Sequence, residues 1–218
     1  MLLSVGKVER ESRDFGSAVP AGATQAALFA ETEAAVAIPG LRYETGFLSV
    51  QEEAALLEVV RTLPLHAARY KAYLARRRVV SFGGSYDFKA NVLRPGQPLD
   101  DRLAPLRDCV ARWLGVDPER LVQVLVAEYA PGTPLGWHRD VPDFETIVGV
   151  SLGSEAVLRF RPYPPDDAAR RQVLQFEVAP RSIYQMAGVA RWGWQHSVPP
   201  VKALRWSITF RMSRCSLR

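Results

Sequence analysis

The sequence predicts a mainly β domain with flanking helices, of the sandwich or barrel type. Short segments rich in branched residues recur from Leu121 onward with turn residues between them, and this spacing is typical of antiparallel sheets. Two segments with helical periodicity precede them. The length of 218 residues suits one domain. Hydrophobic residues make up 48% of the chain and charged residues 23%, which excludes disordered, collagen-like and disulfide-stapled classes.

The first half of the chain divides into a leader and two helices. Residues 1–38 are rich in Ala, Gly and Glu and are predicted to form a poorly ordered leader before a single domain over residues 39–218. The first helix is expected to begin after Ser49, which forms a capping-box pattern with Glu52, and to end at Pro64. The second is expected over residues 103–114, with Gly115 ending it.

The second half of the chain is predicted to consist of strands. The segment from Leu121 to Tyr129 is rich in branched residues and ends at a Pro-Gly turn. Later runs of the same character are separated by turn signals of Gly, Pro, Ser and Asp. These runs are residues 146–152, 156–161, 172–178, 182–185 and 204–211.

The chain carries a net positive charge, which comes mostly from arginine. The net charge is +5, the pI is near 9.5, and only four of the 28 basic residues are lysines. A basic balance is one feature of nucleic-acid-binding proteins, although arginine-rich codon usage would explain the same excess. No apolar run is long enough for a transmembrane helix, and the N-terminus lacks the apolar core of a secretory signal. We therefore expect a cytoplasmic protein with no membrane partner.

Two of the three histidines lie in a pattern that suggests a metal site. His138 and Asp140 are two residues apart, and side chains at that spacing share one face of a strand. His196 follows 58 residues later, after several predicted strands that could return the chain to the first pair. Two histidines and a carboxylate form the facial triad of non-haem Fe(II) oxygenases. An isolated His-x-Asp is more often a surface or hydrogen-bonded feature, and that alternative stays open at this point.

The last predicted strand has one polar and one apolar face. Arg205, Ser207, Thr209 and Arg211 share one face, and the aromatic and aliphatic residues between them share the other. A polar face of this kind usually meets solvent. If it lines a pocket instead, it offers two guanidiniums and two hydroxyls to an anionic ligand, because arginine pairs well with carboxylates.

Six motifs follow one another in this half of the chain. They are Glu128-Tyr129-Ala130-Pro131-Gly132, Gly136-Trp137-His138-Arg139-Asp140, Val148-Gly149-Val150-Ser151-Leu152-Gly153, Pro180-Arg181-Ser182-Ile183-Tyr184, Arg191-Trp192-Gly193-Trp194-Gln195-His196 and Arg205-Trp206-Ser207-Ile208-Thr209-Phe210-Arg211. Their ordered combination resembles the AlkB-type 2-oxoglutarate/Fe(II)-dependent dioxygenases over about residues 38–213. The resemblance implies a double-stranded β-helix, or jelly roll. It also implies that His138, Asp140 and His196 are the catalytic residues and bind Fe(II).

The resemblance further implies a site for 2-oxoglutarate beside the iron, with O2 as the second cosubstrate. Arg205 would pair with the distal carboxylate of 2-oxoglutarate, and Tyr129, Ser207 and Arg211 would complete its pocket. Two positions depart from the family pattern. Ala127 and Ser207 stand where members commonly have asparagine, which puts hydrogen bonds to 2-oxoglutarate in doubt.

An earlier segment resembles the nucleotide-recognition lid of AlkB-type repair enzymes, over about residues 76–90. Arg77 and Arg78 would hold phosphates, and Phe82, Tyr86 and Phe88 would stack on an extruded base. The structural alternative is a β-hairpin that turns at Gly83-Gly84 and packs its aromatic residues on the core.

The function implied by the resemblance is the oxidative dealkylation of N-alkylated bases in nucleic acid. We expect a monomer that acts on single-stranded or locally opened DNA, with RNA as the next candidate. Two alternatives remain at this point. One is an oxygenase with the same chemistry that acts on a protein or a small molecule, because fold does not determine substrate. The other is a non-catalytic jelly-roll protein with a structural metal.

Overall fold

A computed structural model describes residues 38–70, 73–87, 90, 92–167 and 172–214. All of these residues belong to one compact unit. The predicted leader lies outside the described residues except for Ile38, so its boundary stays a prediction. In the described part of the chain, no helix has the length and apolar character needed to cross a membrane.

The described elements alternate between short strands and a few helices. In chain order they are β1 (Leu41–Glu44), α1 (Val50–Thr62), β2 (His66–Tyr70), β3 (Tyr73–Phe82), β4 (Gly84–Asp87), β5 (Val92–Pro95), α2 (Ala104–Leu114), β6 (Leu121–Tyr129), β7 (Leu135–His138), β8 (Phe144–Leu152), β9 (Ala156–Pro162), β10 (Leu174–Val178), β11 (Ile183–Met186), α3 (Gly188–Trp192), β12 (Trp194–Val198) and β13 (Arg205–Ser213). Short 3-10 turns precede α2 and β6.

Both predicted helices are confirmed, together with the residues that begin and end them. The Ser49 hydroxyl accepts from the Glu52 backbone N–H, and the Glu52 carboxylate accepts from the Ser49 N–H, so the capping box is complete. Helix α1 ends at Thr62, two residues before Pro64. Gly115 follows α2 in the left-handed conformation with φ of 71°, which glycine adopts at little cost.

The strands form a double-stranded β-helix, which confirms the predicted fold class. A seven-stranded sheet has the order β1-β11-β8-β13-β6-β3-β2, and a four-stranded sheet has the order β10-β9-β12-β7. The strand pairings among the described residues are antiparallel, and β4 pairs with β5 separately. One hydrophobic cluster packs α1 and α2 against the larger sheet, and a second contains apolar residues from both sheets.

Strand β13 lies in the middle of the larger sheet, and its position decides where its polar face points. Trp206, Ile208 and Phe210 belong to the cluster on the helical side. Arg205 and Ser207, on the opposite face, are only 3% and 4% exposed. This polar face therefore points into the jelly roll, and the solvent-facing alternative is wrong.

The segment that resembles a recognition lid is not a simple hairpin. Strand β3 pairs with β2 and with β6, whereas β4 pairs with β5. Gly83 lies between β3 and β4 with φ of 76°, and a Cβ atom there would be 2.2 Å from the Val122 carbonyl oxygen. The chain turns here by passing close to the backbone of β6 near its start, so the turn was placed correctly but the hairpin pairing was wrong.

Candidate active site

The two histidines of the predicted metal site are direct cross-strand neighbours. His138 on β7 is paired in register with His196 on β12, and their ring centroids are 4.2 Å apart. Asp140 follows the end of β7, with its Oδ2 atom 3.6 Å from His196 Nε2. One ligand atom from each residue lies within 4.8 Å of the others. Antiparallel pairing thus brings together residues that are 58 positions apart.

Two members of this triad are oriented by hydrogen bonds to neighbouring groups. His138 Nδ1 is 2.9 Å from the Gly136 carbonyl oxygen. A carbonyl only accepts, so Nδ1 carries the hydrogen and the Nε2 lone pair is available to a metal. Arg211 donates from Nε and Nη2 to Asp140 Oδ1, at 3.0 and 2.7 Å, which leaves Oδ2 facing His196.

Burial and charge hold the triad in the protonation states that bind metals. Burial lowers the pKa of His196 to about 3, and neighbouring His138 adds to the effect against the opposing charge of Asp140. Burial also lowers the pKa of His138. Burial alone would raise the pKa of Asp140, but the Arg211 guanidinium and the nearby histidines hold it well below its usual range. Neutral imidazoles and an ionised carboxylate are the required ligand forms.

The donor set of this triad fits Fe(II). Two imidazole nitrogens and one carboxylate oxygen make a three-ligand face that leaves coordination positions open for other ligands. No cysteine thiolate contributes to a cluster of this kind in the described ranges, which is unlike the closed sites of structural zinc.

A pocket lined by the triad continues to Arg205, whose charge has no counterion in the described part of the chain. The Arg205 Nε donates to Ser151 Oγ at 3.1 Å, and the guanidinium lies 5.2 Å from the centre of the Tyr129 ring. Ser207 lines the same pocket. A buried cation of this kind requires an anionic partner, and the pocket position fits one carboxylate of 2-oxoglutarate.

Tyr184 also lines this pocket, and sequence reasoning did not select it as a site residue. Its ring lies over Gly149, where a Cβ atom would be 2.2 Å from Tyr184 Cζ. Burial raises the pKa of Tyr184, and the charge of Arg205 opposes this effect. Gly149 was a signal for this contact in the sequence, because a glycine in a buried strand often marks the close approach of another group. That the group is Tyr184 could be known only from the strand register, which pairs Tyr184 with Gly149.

Arg211 and Ala127 differ from the roles that the resemblance implied for their positions. Arg211 lines the pocket, but its Nη1 atom donates to Gln123 and its other nitrogens bind Asp140. Its guanidinium therefore contacts a candidate metal ligand directly. Ala127 lines the pocket with a methyl group, which offers no hydrogen bond in place of the common asparagine.

The residues assigned to the lid do not form one surface. Arg77 lines the metal pocket, and its Nε atom is buried without a hydrogen-bond partner. Arg78 points to the opposite face of β3, where it binds the Glu128 carboxylate at 3.0 Å and the Leu65 carbonyl oxygen. Because neighbouring strand residues point to opposite faces, the two arginines are separated.

The aromatic residues of this segment are also divided. Phe82 is 4% exposed and packs in the core beneath the helices, so the interpretation of Phe82 as a base-stacking residue is wrong. Phe82 is an even number of residues from Arg78 and an odd number from Arg77, so its side chain lies on the same face of β3 as Arg78. Tyr86 on β4 is partly exposed. Phe88 lies outside the described residues.

The position of these groups defines a class of protein. A jelly roll that presents an open face of two histidines and one carboxylate is the arrangement of non-haem Fe(II) oxygenases. Residues 40–217 match the 2OG-Fe(II) oxygenase superfamily, and the chain belongs to this family. It is therefore a 2-oxoglutarate-dependent dioxygenase, and its cofactor and cosubstrates are Fe(II), 2-oxoglutarate and O2.

Comparisons with individual proteins support the AlkB-type resemblance. "Uncharacterized protein L905" of Acanthamoeba polyphaga mimivirus is 34% identical over 144 residues, which cover 58% of this chain and 67% of that protein. "Alkylated DNA repair protein ALKBH8 homolog" of Arabidopsis thaliana is 27% identical over 185 residues, covering 74% of this chain and 51% of that protein. The chain thus spans about half the length of the second relative.

A solved structure has the same fold. The structure titled "The structure of OsALKBH1" matches with a TM-score of 0.58 and 15% sequence identity, covering 80% of this chain and 97% of that one. At this identity the match supports the jelly roll of the AlkB type.

Proposed function

We propose that this protein removes alkyl groups oxidatively from N-alkylated bases in nucleic acid, with DNA as the preferred substrate and RNA as the next candidate. The observation that carries the proposal is that one pocket contains both the His138, Asp140 and His196 cluster and Arg205, which has no counterion among the described residues. In this proposal the cluster holds Fe(II), and Arg205 holds the distal carboxylate of 2-oxoglutarate.

The remaining pocket residues orient these groups. The hydroxyls of Tyr129, Ser207 and Tyr184 line the pocket and supply hydrogen bonds to 2-oxoglutarate in place of the amide that Ala127 lacks. Arg211 acts as a positioning residue, because it holds one oxygen of Asp140 and leaves the other facing His196. Arg77 stands at the metal with an unpartnered buried nitrogen and orients the substrate base rather than a phosphate.

Fe(II) held by His138, Asp140 and His196, together with 2-oxoglutarate on Arg205, would supply the oxidation, in which one oxygen atom of O2 would enter a C–H bond of the alkyl group and the other would enter succinate with release of CO2. The resulting N–CH2OH group then loses its hydroxyl proton as the C–N bond breaks. The products are an aldehyde and the unalkylated base, whose nitrogen takes up a proton. The protein's task is to exclude bulk water and to hold the alkyl carbon at the open metal face.

Two observations support a nucleic-acid substrate: the positive net charge of the chain and its similarity to one named relative. The chain carries a net charge of +5 that is supplied mostly by arginine, which suits the phosphate backbone. One relative is named as a DNA repair protein, and we extend its substrate class to this chain as part of the proposal.

The experiment is a turnover screen with the purified full chain, Fe(II), 2-oxoglutarate and ascorbate. The substrates are oligodeoxynucleotides with methylated and etheno-bridged bases, matched oligoribonucleotides, and methylated peptides. Succinate and the dealkylated base are measured together. We expect both products with DNA and less of each with RNA.

Matched variants identify the source of the activity. His138→Ala, Asp140→Ala and His196→Ala should each remove both metal binding and turnover. Turnover of peptides alone would contradict the nucleic-acid substrate and leave the iron chemistry intact. Retained Fe(II) and full activity in the Asp140 variant would contradict the ligand assignment.

A further inference from the structure

The outer face of the four-stranded sheet carries a group of side chains that the active site does not use. Arg159 and Arg161 on β9 alternate with Leu158 and Phe160, which are buried between the sheets, so both arginines point outward. Trp137 alternates with His138 on β7 in the same way. We call Trp137, Arg159 and Arg161 the outer basic patch.

Both guanidiniums of the outer basic patch lie across the intervening strand β12. Arg159 Nε donates to Ser197 Oγ at 3.1 Å, and Arg161 Nε donates to Gln195 Oε1 at 2.8 Å. Their Cζ atoms lie 5.2 and 4.5 Å from the centre of the Trp137 ring. One nitrogen of each arginine and the flat tryptophan surface thus fix the orientation of the two guanidiniums.

The described residues do not neutralise the charges of the outer basic patch. Neither Arg159 nor Arg161 makes an ion pair with a carboxylate among the described residues, whereas Arg78, Arg102 and Arg181 do. Glu177, on the neighbouring strand β10, is opposite Val157 and pairs with neither arginine. The Nη atoms of both arginines have no described hydrogen-bond partner, so each retains donors for a ligand.

The outer basic patch lies on the opposite face of the sheet from the two histidines of the candidate metal site. Trp137 precedes His138 on β7, and Ser197, which accepts from Arg159, follows His196 on β12, so the patch and the histidines occupy opposite faces of this sheet. Strand β7 is also an edge strand of its sheet. A nucleic-acid strand that passes around this edge could therefore contact both faces of the sheet.

We propose that the outer basic patch binds phosphates of the nucleic-acid strand that flanks the alkylated nucleotide. Oriented guanidiniums that retain free donors suit phosphate oxygens, and such contacts add affinity without reading the base sequence. This inference rests on the proposed function. It supplies phosphate contacts that Arg78, which binds Glu128 on the opposite face of β3 from Arg77, does not provide.

The test is the salt dependence of binding to an undamaged, fluorescently labelled single-stranded oligodeoxynucleotide, with the metal-free full chain. The patch variant is Arg159→Gln/Arg161→Gln. The control is Arg112→Gln/Arg120→Gln, which removes the same charge from exposed positions on and just after α2. Each lost phosphate contact should reduce the slope of log K against log salt by about 0.7, so the patch variant should lose about 1.4 and the control should keep the wild-type slope.

A second variant separates charge from structure. Arg159→Lys/Arg161→Lys retains both charges, and it should restore most of the slope if the contacts are to phosphates. Equal slopes for the Gln patch variant and the control would overturn the patch assignment, while DNA turnover by the wild type would leave the proposed function standing. Salt-independent binding by the wild type, with turnover of peptides only, would overturn both.

Discussion

Replacing Arg205 by methionine is expected to stabilise the metal-free protein and, at the same time, to remove its affinity for 2-oxoglutarate. Arg205 is 3% exposed, and its charge has no carboxylate partner in the described part of the chain. A methionine of similar length fills the same space without a charge. Burying an uncompensated charge costs several kcal/mol, so its removal should raise the free energy of unfolding by about 1–2 kcal/mol.

The matched control is Arg191→Met, because Arg191 is also 3% exposed. Its guanidinium, however, donates to the carbonyl oxygens of Phe144, Asp140 and Val141, at 3.0, 3.1 and 2.7 Å. Methionine at this position removes the arginine donor from all three carbonyl oxygens, of which Val141 keeps the backbone N–H of Phe144. We therefore expect this variant to lose about 3–5 kcal/mol of stability, the opposite sign to Arg205→Met.

Two measurements check this pair. Urea unfolding of the metal-free proteins gives the change in stability, and titration of 2-oxoglutarate with Mn²⁺ in place of Fe(II) gives the binding change. The Arg205 variant should bind 2-oxoglutarate more weakly by about 2–4 kcal/mol, or roughly 30- to 1000-fold. Destabilisation of the two variants by similar amounts, or an unchanged affinity for 2-oxoglutarate, would refute the reasoning.

Three further predictions follow from the same geometry. Arg211→Gln removes the two hydrogen bonds to Asp140 Oδ1 and should weaken Mn²⁺ binding about 10- to 100-fold, measured by titration; an unchanged affinity would contradict the positioning role. Gly149→Ala puts a Cβ atom 2.2 Å from Tyr184 Cζ and should lower both the melting temperature and the affinity for 2-oxoglutarate, whereas Gly136→Ala, which has open space, should leave the melting temperature nearly unchanged. The unfolded chain protonates its histidines below their ordinary pKa of 6.5, but burial lowers the pKa of His196 to about 3, so the free energy of unfolding of the metal-free protein should fall as pH is lowered from 6.5 toward 3. The fall should approach about 1.4 kcal/mol per pH unit for this histidine, and His196→Asn should show a shallower decline in urea unfolding across that range.

Much of the fold could be predicted because its signals are local. The capping box of Ser49 and Glu52 satisfies helix-terminal groups within four residues, so it can be recognised without knowing any neighbour. The alternation of polar and apolar residues in β13 can likewise be recognised from neighbouring residues alone. Strands β7 and β12 are missing from the predicted strand runs, although the spacing of His138 and Asp140 was interpreted as one face of a strand. Gly136 and the tryptophans obscure the alternation, and the pairing partners are distant in sequence.

In the segment that resembles a recognition lid, residue types alone did not determine which side chains face the pocket. The residue types of Arg77, Arg78 and Phe82 suit a nucleotide-binding surface, but their chemistry does not say which face of β3 meets the pocket. Pairing with β6 decides it, since Phe82 lies opposite Val124 and Arg78 opposite Glu128, which leaves Arg77 on the inner face. A shift of one residue in that register would exchange these roles.

The amino-acid pattern alone was sufficient for helices α1 and α2, for strands β6, β8, β9, β10, β11 and β13, for the ligand types of the candidate metal site and for the family resemblance. These depend on residue identity and short spacing, which are properties of the chain before it folds. Only the tertiary structure decided that Tyr184 lies over Gly149, that Arg211 holds Asp140, and that Arg205 is buried with no counterion in the described ranges. Each of these contacts depends on the register and packing of strands that are far apart along the chain, and long-range pairing of this kind leaves no local signal.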